Sequence, residues 1–110
     1  TKTEITDAQM KKTTPAVATV KEEKTKKGKV SVTIKWKTVN GANGYKVYRS
    51  TKKNKGYKCV KTIKKAATKS WKDTGVKTGK TYYYKMRAYK KSGKKTIYSK
   101  YSSTKKISVK

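Results

Sequence analysis

The sequence predicts an all-β protein built as an antiparallel sandwich of seven short strands. Two stretches alternate between apolar and polar side chains, and a period of two is typical of a strand with one buried face. The apolar positions are Val30, Val32, Ile34 and Trp36 in the first stretch and Tyr82, Tyr84, Met86 and Ala88 in the second. The residue types that favour strands (Val, Ile, Thr, Tyr and Trp) account for 42 of the 110 residues. Turn signals divide the chain into seven such segments, as expected for a sandwich.

The composition by itself argues against a folded chain. Thirty-three Lys and Arg face five Asp and Glu, which gives a formal net charge of +28 without any His. Val and Ile total 14, and Leu and Phe are absent; a highly charged chain with less than roughly 20% of these four residue types is expected to stay unfolded. The alternation decides the question, because a disordered lysine-rich chain has no reason to keep a period of two. We expect a core of Trp, Tyr, Val and Ile, with Lys stems covering its margins.

The predicted strands follow one another with short connections. An edge strand begins after Pro15, because proline cannot donate to a strand ladder, and it includes Ala16, Val17 and Val20. The others lie at 30–36, 44–50, 57–63 (without a fixed phase), 67–73 around Trp71, 81–90 and 96–109, the last with an interruption near Ser102 and Ser103. The main connections are a charged segment at 21–29, a loop at 40–44 and a basic hairpin loop at 90–95.

The N-terminal residues carry no strand pattern. We interpret 1–13 as a linker or the end of a preceding domain, and we predict the sandwich over 14–110. A short helix is the alternative, since Thr6 and Gln9 have the spacing of a capping box. Thr1 in place of an initiator Met suggests a piece of a longer protein. No apolar run approaches the roughly 20 residues of a membrane span, and nothing at the start is typical of a signal peptide.

Several segments share features with one family, in the same order and at similar spacing. They are Trp36 at the end of the second strand, the third-strand segment 41–50, the turn Asp73-Thr74-Gly75-Val76 with Gly79 and Tyr82, the sixth-strand segment 82–89, and the serine-rich group Ser99, Tyr101, Ser102 and Ser103. Together they resemble a fibronectin type III domain of a Gram-positive bacterial surface or secreted protein. The resemblance implies an immunoglobulin-like sandwich with strands A, B and E against C, C′, F and G. It implies no chemistry, because this fold hosts many roles.

Catalysis lacks candidate residues in this sequence. There is no His, and four of the five acids lie before residue 24. The fifth, Asp73, precedes a Thr-Gly turn, where its carboxylate is expected to accept backbone N–H groups. Cys59 is the one cysteine, so an internal disulfide is excluded, and a reactive thiol or an intermolecular bridge is the alternative to a plain side chain. Without His ligands or an acidic calcium loop, we expect no metal and no cofactor.

The resemblance implies that the third and sixth strands lie side by side in one sheet, and a ligand-binding face is predicted on its outer side, opposite the core. Its candidate residues are Lys46, Tyr48, Tyr83, Lys85, Arg87 and Tyr89. Aromatic rings interleaved with cations can stack on sugar rings or bases while they bind anionic groups. The alternative is that these neighbours only stabilise the sheet, by up to about 1 kcal/mol a pair. The loop at 90–95 is a second candidate, with a solvated turn as its alternative; it carries no Arg-Gly-Asp.

These features predict a non-catalytic extracellular module that spaces or presents other parts of a larger bacterial surface or secreted protein. Its charge favours electrostatic adhesion to anionic cell-wall polymers or acidic glycans, although many lysines are expected only to solvate the sandwich and to protect its edges. Neighbouring domains of a longer parent chain are further expected partners. The alternative is a carbohydrate-binding or adhesin module, and nucleic-acid binding rests on charge alone. We expect a monomer without membrane insertion.

Overall fold

The computed structural model describes residues 7–15, 17–24, 27–39 and 41–110. Its elements are α1 (Asp7–Lys12), β1 (Val17–Lys24), β2 (Val30–Trp36), β3 (Gly44–Ser50), β4 (Lys58–Ile63), β5 (Ser70–Asp73), β6 (Thr81–Ser92), β7 (Lys95–Tyr98) and β8 (Lys105–Ser108). One antiparallel sheet has the order β1-β2-β5, and the other has β4-β3-β6 with both β7 and β8 paired to β6. The predicted sandwich is confirmed. It has eight strands because the last predicted strand is divided into β7 and β8.

The inner faces of the two sheets carry the alternating residues that the sequence predicts. In β2 the side chains of Val32, Ile34 and Trp36 are buried. The buried residues of β6 are Tyr82, Tyr84, Met86 and Ala88. Trp36 packs against Tyr45 of β3, with 5.7 Å between the ring centroids. In a chain without Leu and Phe, tyrosine rings therefore supply much of the volume of the core.

Each buried tyrosine hydroxyl of the core has a hydrogen-bond partner, as burial of a phenol requires. Tyr45 Oη accepts the Val39 N–H and donates to the Ala66 carbonyl, both at 2.8 Å. Tyr82 Oη accepts the N–H of Lys77, five residues upstream, at 2.9 Å, which is the tyrosine corner that the resemblance implies. These bonds attach the connecting loops to the core.

An ion pair joins the two sheets at Asp73. Arg49 of β3 and the Tyr84 hydroxyl of β6 each donate to Asp73 Oδ2 of β5 at 2.7 Å. The expected turn contact is also confirmed, since the Gly75 N–H donates to Asp73 Oδ1 at 2.9 Å. Asp73 is only 3% exposed, and its buried carboxylate is paired with the Arg49 guanidinium and accepts hydrogen bonds at both oxygens. The acid in the second half of the chain therefore has a structural role.

The charged segment at 21–29 was predicted to be a connection, and that prediction is wrong for its first half. β1 continues through Lys24, which pairs with Val30. Lys21 and Glu23 lie on the solvent side of the sheet, while Glu22 and Lys24 alternate with them at the end of the strand, opposite Val32 and Val30. On the solvent side the carboxylate of Glu23 accepts the Thr33 hydroxyl at 3.0 Å and lies 3.5 Å from Lys72 Nζ.

Residues 10–13, which precede β1, pack against the sandwich. Met10 of α1 is fully buried in the core, and the Lys100 N–H donates to the Thr13 carbonyl at 2.9 Å. The predicted domain boundary at residue 14 stays a prediction, and the predicted roles of Thr6, Ala16 and Asn40 fall outside the described residues. Within the described ranges, no helix is long and apolar enough to cross a membrane.

Candidate functional site

The register of β3 against β6 brings four of the six predicted ligand-binding residues together. Lys46 lies directly opposite Arg87, and Tyr48 lies directly opposite Lys85. Their neighbours along each strand, such as Val47 and Met86, are buried in the core. Since side chains alternate across a strand, these four residues project from the outer side of the larger sheet, as predicted.

The cations on this side of the sheet are held over tyrosine rings. We call the tyrosine–cation face the group formed by Lys46, Tyr48, Tyr57, Lys85, Arg87, Tyr98 and Tyr101. The guanidinium carbon of Arg87 lies 3.8 Å from the centroid of the Tyr98 ring, 4.9 Å from that of Tyr101 and 5.4 Å from that of Tyr48. Its Nε–H donates to the Tyr48 hydroxyl at 3.1 Å. These are cation–π distances, so the arginine is fixed in place by its neighbours.

The two lysines of the tyrosine–cation face are held in the same way. Lys85 Nζ lies between two rings, 4.2 Å from the centroids of both Tyr57 and Tyr101. Lys46 Nζ lies 5.4 Å from the centroid of the Tyr98 ring. A hydrogen bond to the Tyr98 hydroxyl raises the pKa of Lys46. Lys46 therefore keeps its charge although it shares one aromatic ring with Arg87.

Tyr101 reaches this face because the chain leaves the sheet between β7 and β8. The hydroxyl of Ser99 accepts the Ala88 N–H at 2.8 Å, and that of Ser102 accepts the Met86 N–H at 2.9 Å. The N–H groups of the same two serines donate to the carbonyls of Ala88 and Met86. Serine hydroxyls thus take the place of backbone carbonyls as acceptors for the N–H groups of β6. Because the backbone at 99–102 does not have to follow β6 as a regular strand, it can place Tyr101 over the outer side of β6.

Sequence reasoning missed three tyrosines of the tyrosine–cation face. Tyr57 precedes β4 and donates a 2.7 Å hydrogen bond to the Lys53 carbonyl, and Tyr98 ends β7 opposite Tyr89. Tyr98 could have been predicted from the topology, because its strand lies next to β6. Tyr57 and Tyr101 lie outside regular strands, where a period of two gives no direction, so the pattern held no signal for them.

Tyr89 was predicted to be exposed, and this prediction is wrong. The residue lies on the expected side of β6 but is only 6% exposed. Its ring lies across Gly44, the residue opposite it in β3, and its hydroxyl points to the Ile63 carbonyl at 3.4 Å. Because glycine has no side chain, the tyrosine fills that space instead of pointing to solvent.

Two further predicted candidates, Tyr83 and the loop at 90–95, do not belong to the tyrosine–cation face. Tyr83 lies on the predicted side of β6, opposite Ser50 and Lys106, and joins none of the ring contacts found in the described part of the chain. The predicted loop is a tight turn, because β6 extends to Ser92, which pairs with Lys95. Gly93 supplies the positive φ of 62° that such a two-residue turn requires.

Within the part of the chain that the structure describes, the tyrosine–cation face presents hydrogen-bond donors without a nearby carboxylate. The acids whose side chains are described belong to the other sheet: Glu22 and Glu23 in β1 and Asp73 in β5. Burial raises the pKa of Tyr48, so its hydroxyl keeps the proton it can donate.

Among the described residues no three His, Cys, Asp or Glu side chains lie close enough to bind a metal. Cys59 is exposed on β4, opposite Tyr48.

Structural comparison identifies the fold. No family model and no curated protein sequence matches this chain. Among solved structures, the chain is similar to an Fn3-like protein from Clostridium thermocellum, with 28% identity and a TM-score of 0.64. The similarity covers 87% of this chain and 94% of that one.

Two further similar structures belong to longer proteins. In the β-1,2-glucanase from Parabacteroides distasonis (22% identity, TM-score 0.69), the similarity covers 86% of this chain and 12% of that one. In the FN1–FN3 domains of chicken CNTN1 (20% identity, TM-score 0.68), it covers 90% of this chain and 31% of that one. Domains of this type are generally non-catalytic modules of larger proteins. With its two sheets in the order A-B-E and C′-C-F-G, this chain has the fibronectin type III fold.

Proposed function

We propose that this chain is a spacing and presentation module of a larger bacterial surface or secreted protein, located outside the cell. The observation that carries this proposal is that the chain enters and leaves the sandwich at opposite ends. β1 begins at Val17, which pairs with Trp36, whereas at the other end of that sheet Lys24 pairs with Val30. The C-terminal Lys110 lies near this second end, where its N–H donates to the carboxylate of Glu22 at 3.1 Å. A module with this geometry adds its own length when it is linked to others.

The proposal includes electrostatic adhesion to anionic polymers of the cell envelope or of a host surface. The net charge of +28 on 110 residues creates a positive potential that attracts polyanions regardless of their sequence. The exposed lysines lie on both sheets and in the loops. Adhesion of this kind supplements the spacing role, because it requires no enclosed site.

The alternative, a carbohydrate-binding or adhesin module that uses the exposed Tyr/Lys face, has less support where the sugar is neutral. A neutral sugar stacks on an open aromatic ring, but the rings of Tyr57, Tyr98 and Tyr101 are already in contact with lysine or arginine. Sugar hydroxyls also require acceptors, and the described acids lie elsewhere. Nucleic-acid binding is supported by charge alone.

Binding of the full chain to immobilised heparin over a range of salt concentrations tests the adhesion. We expect log K to fall linearly with log salt between about 50 and 200 mM, as counterion release requires. A neutral polysaccharide of similar length serves as the control and should not bind. Salt-independent binding, or equal binding to the neutral polymer, would contradict the proposal.

A further inference from the structure

We infer that the tyrosine–cation face is the docking surface for an acidic polysaccharide, whose carboxylate or sulfate groups bind at Arg87 between Lys46 and Lys85. The inference rests on the adhesion proposed above, and it names the surface and the class of polymer.

The first argument is the unbalanced charge at the centre of the face. Lys46 and Arg87 lie directly opposite each other on neighbouring strands, an arrangement that destabilises a sheet by repulsion. Both cations lie over the one ring of Tyr98, which reduces the repulsion without neutralising either charge. An anion bound between them relieves it. This site therefore gains more from an anion than an isolated surface lysine does.

The second argument is preorganisation of the arginine. Arg87 is half-buried and surrounded by the rings of Tyr48, Tyr98 and Tyr101. Within the described residues, the hydrogen bond from its guanidinium comes from Nε alone, so Nη1 and Nη2 are the groups that can meet an oxyanion. A planar guanidinium binds carboxylate or sulfate through two parallel bonds. Because the side chain is already ordered, binding costs less conformational entropy.

The third argument is that the face offers donors and few acceptors. The Tyr48 hydroxyl accepts from Arg87 and the Tyr98 hydroxyl is bonded to Lys46, so neither bond uses the O–H of the phenol as the donor. Together with the three cations the two phenols form a surface of donors. Such a surface pairs with oxygen atoms that only accept, such as those of carboxylate and sulfate groups.

The fourth argument concerns the shape of the surface. Single-stranded nucleic acid binds by stacking bases on open aromatic rings, whereas these rings are already covered by cations. Duplex DNA is recognised by an element that enters a groove, whereas the tyrosine–cation face is the outer side of β3 and β6. An acidic polysaccharide needs neither feature, because its charged groups project from an extended chain.

A pair of charge-matched variants tests the site in the full chain. The face variant is Lys46→Gln/Arg87→Gln, and the control is Lys21→Gln/Lys35→Gln, two exposed lysines on the other sheet. The probe is a heparin oligosaccharide of defined length at physiological salt. We expect the face variant to bind about tenfold more weakly, the scale of a lost hydrogen bond to a charged group. The affinity of the control variant should also be measured, and its logarithm should fall by less than about half as much.

The outcomes separate this inference from the proposed adhesion. If both double variants lose affinity equally, the inferred docking surface is wrong, and the electrostatic adhesion proposed above stands without a specific site. If the unmodified chain fails to bind even at low salt, the adhesion fails and the docking surface with it. Tighter binding of polyphosphate or duplex DNA than of heparin would overturn the class of polymer. An oligogalacturonate arm distinguishes carboxylate from sulfate, and Arg87→Lys should weaken both without changing the salt dependence.

A measurement on the unmodified protein covers the case in which the face variant does not fold. Backbone amide NMR signals are followed while the heparin oligosaccharide is added. We expect the shifts to be concentrated in β3, in β6 and at residues 99–104. Shifts of equal size in β1, β2 and β5 would overturn the docking surface.

Discussion

The hydroxyl of Tyr84 donates a 2.7 Å hydrogen bond to the Asp73 carboxylate across the interior of the sandwich. Arg49 donates to the same carboxylate oxygen from a third strand. One buried acid therefore connects β3, β5 and β6, and so joins the two sheets. The contact is polar, yet Tyr84 is fully buried and Asp73 is only 3% exposed, so the loss of one partner leaves a buried carboxylate with less compensation.

Tyr84→Phe removes this hydroxyl and keeps the ring. We expect the free energy of unfolding to fall by about 1.5 to 3 kcal/mol, because the hydrogen bond is to a charged group. Urea denaturation measures the change. The matched control is Tyr83→Phe, one residue earlier on the half-buried outer side of β6, which should change stability by less than about 0.5 kcal/mol. Equal effects of the two variants would show that the bond contributes nothing specific.

Gly44→Ala tests the packing of Tyr89. A Cβ at this position would overlap the Ile63 carbonyl oxygen and lie 2.6 Å from the Tyr89 hydroxyl. We expect a loss of about 3 kcal/mol, at the upper end for an overpacked site. Gly93→Ala is the control, since it has a positive φ but open space around it, and should cost about 1 to 2 kcal/mol. A smaller loss at Gly44 than at Gly93 would contradict the proposed packing.

The serine hydroxyls between β7 and β8 are expected to stabilise β6. Ser102→Ala leaves the buried Met86 N–H without its acceptor, which should cost about 1 to 3 kcal/mol. Amide hydrogen exchange should accelerate at Met86 more than elsewhere in β6. Ser103→Ala alters the exposed neighbour and serves as the control. Unchanged exchange at Met86 would mean that Ser102 is not the acceptor that matters.

Stability is expected to fall at alkaline pH because of buried tyrosines. Burial raises the pKa of Tyr84 above its ordinary value of 10.0, with the Asp73 hydrogen bond as the second cause. At pH values above this ordinary pKa, the Tyr84 side chain of the unfolded chain releases a proton that the native state retains. The free energy of unfolding therefore decreases as pH rises. The slope is about 1.4 kcal/mol per pH unit for each such group. Lysine deprotonation acts in the opposite sense by reducing charge repulsion.

The difference between the unmodified chain and Tyr84→Phe isolates this residue. Urea denaturation between pH 9 and 11 (about one unit on each side of the ordinary value) should show a shallower decline for Tyr84→Phe. Over the same pH range, Tyr84 should make no contribution to the tyrosinate absorbance of the native protein. Parallel declines for the two proteins would contradict the assigned cause.

The sequence predicted the sandwich and the direction of most strand residues. Alternation places Tyr84 inward and Lys85 outward, and the structure agrees. The prediction failed for Tyr89, whose ring is buried by a glycine on the neighbouring strand. It also failed for the charged end of β1, because charge describes a side chain's preference for water and not the hydrogen bonding of its backbone.

What the chain determined by itself is the alternation of apolar and polar side chains, and with it the two faces of each strand. This information is local, because neighbouring side chains in a strand must point in opposite directions. Only the tertiary structure decided that Lys46 and Arg87 share the ring of Tyr98 and that Tyr101 covers Lys85. Those contacts depend on strand register and on an irregular segment, both of which are set by hydrogen bonds between residues far apart in the chain.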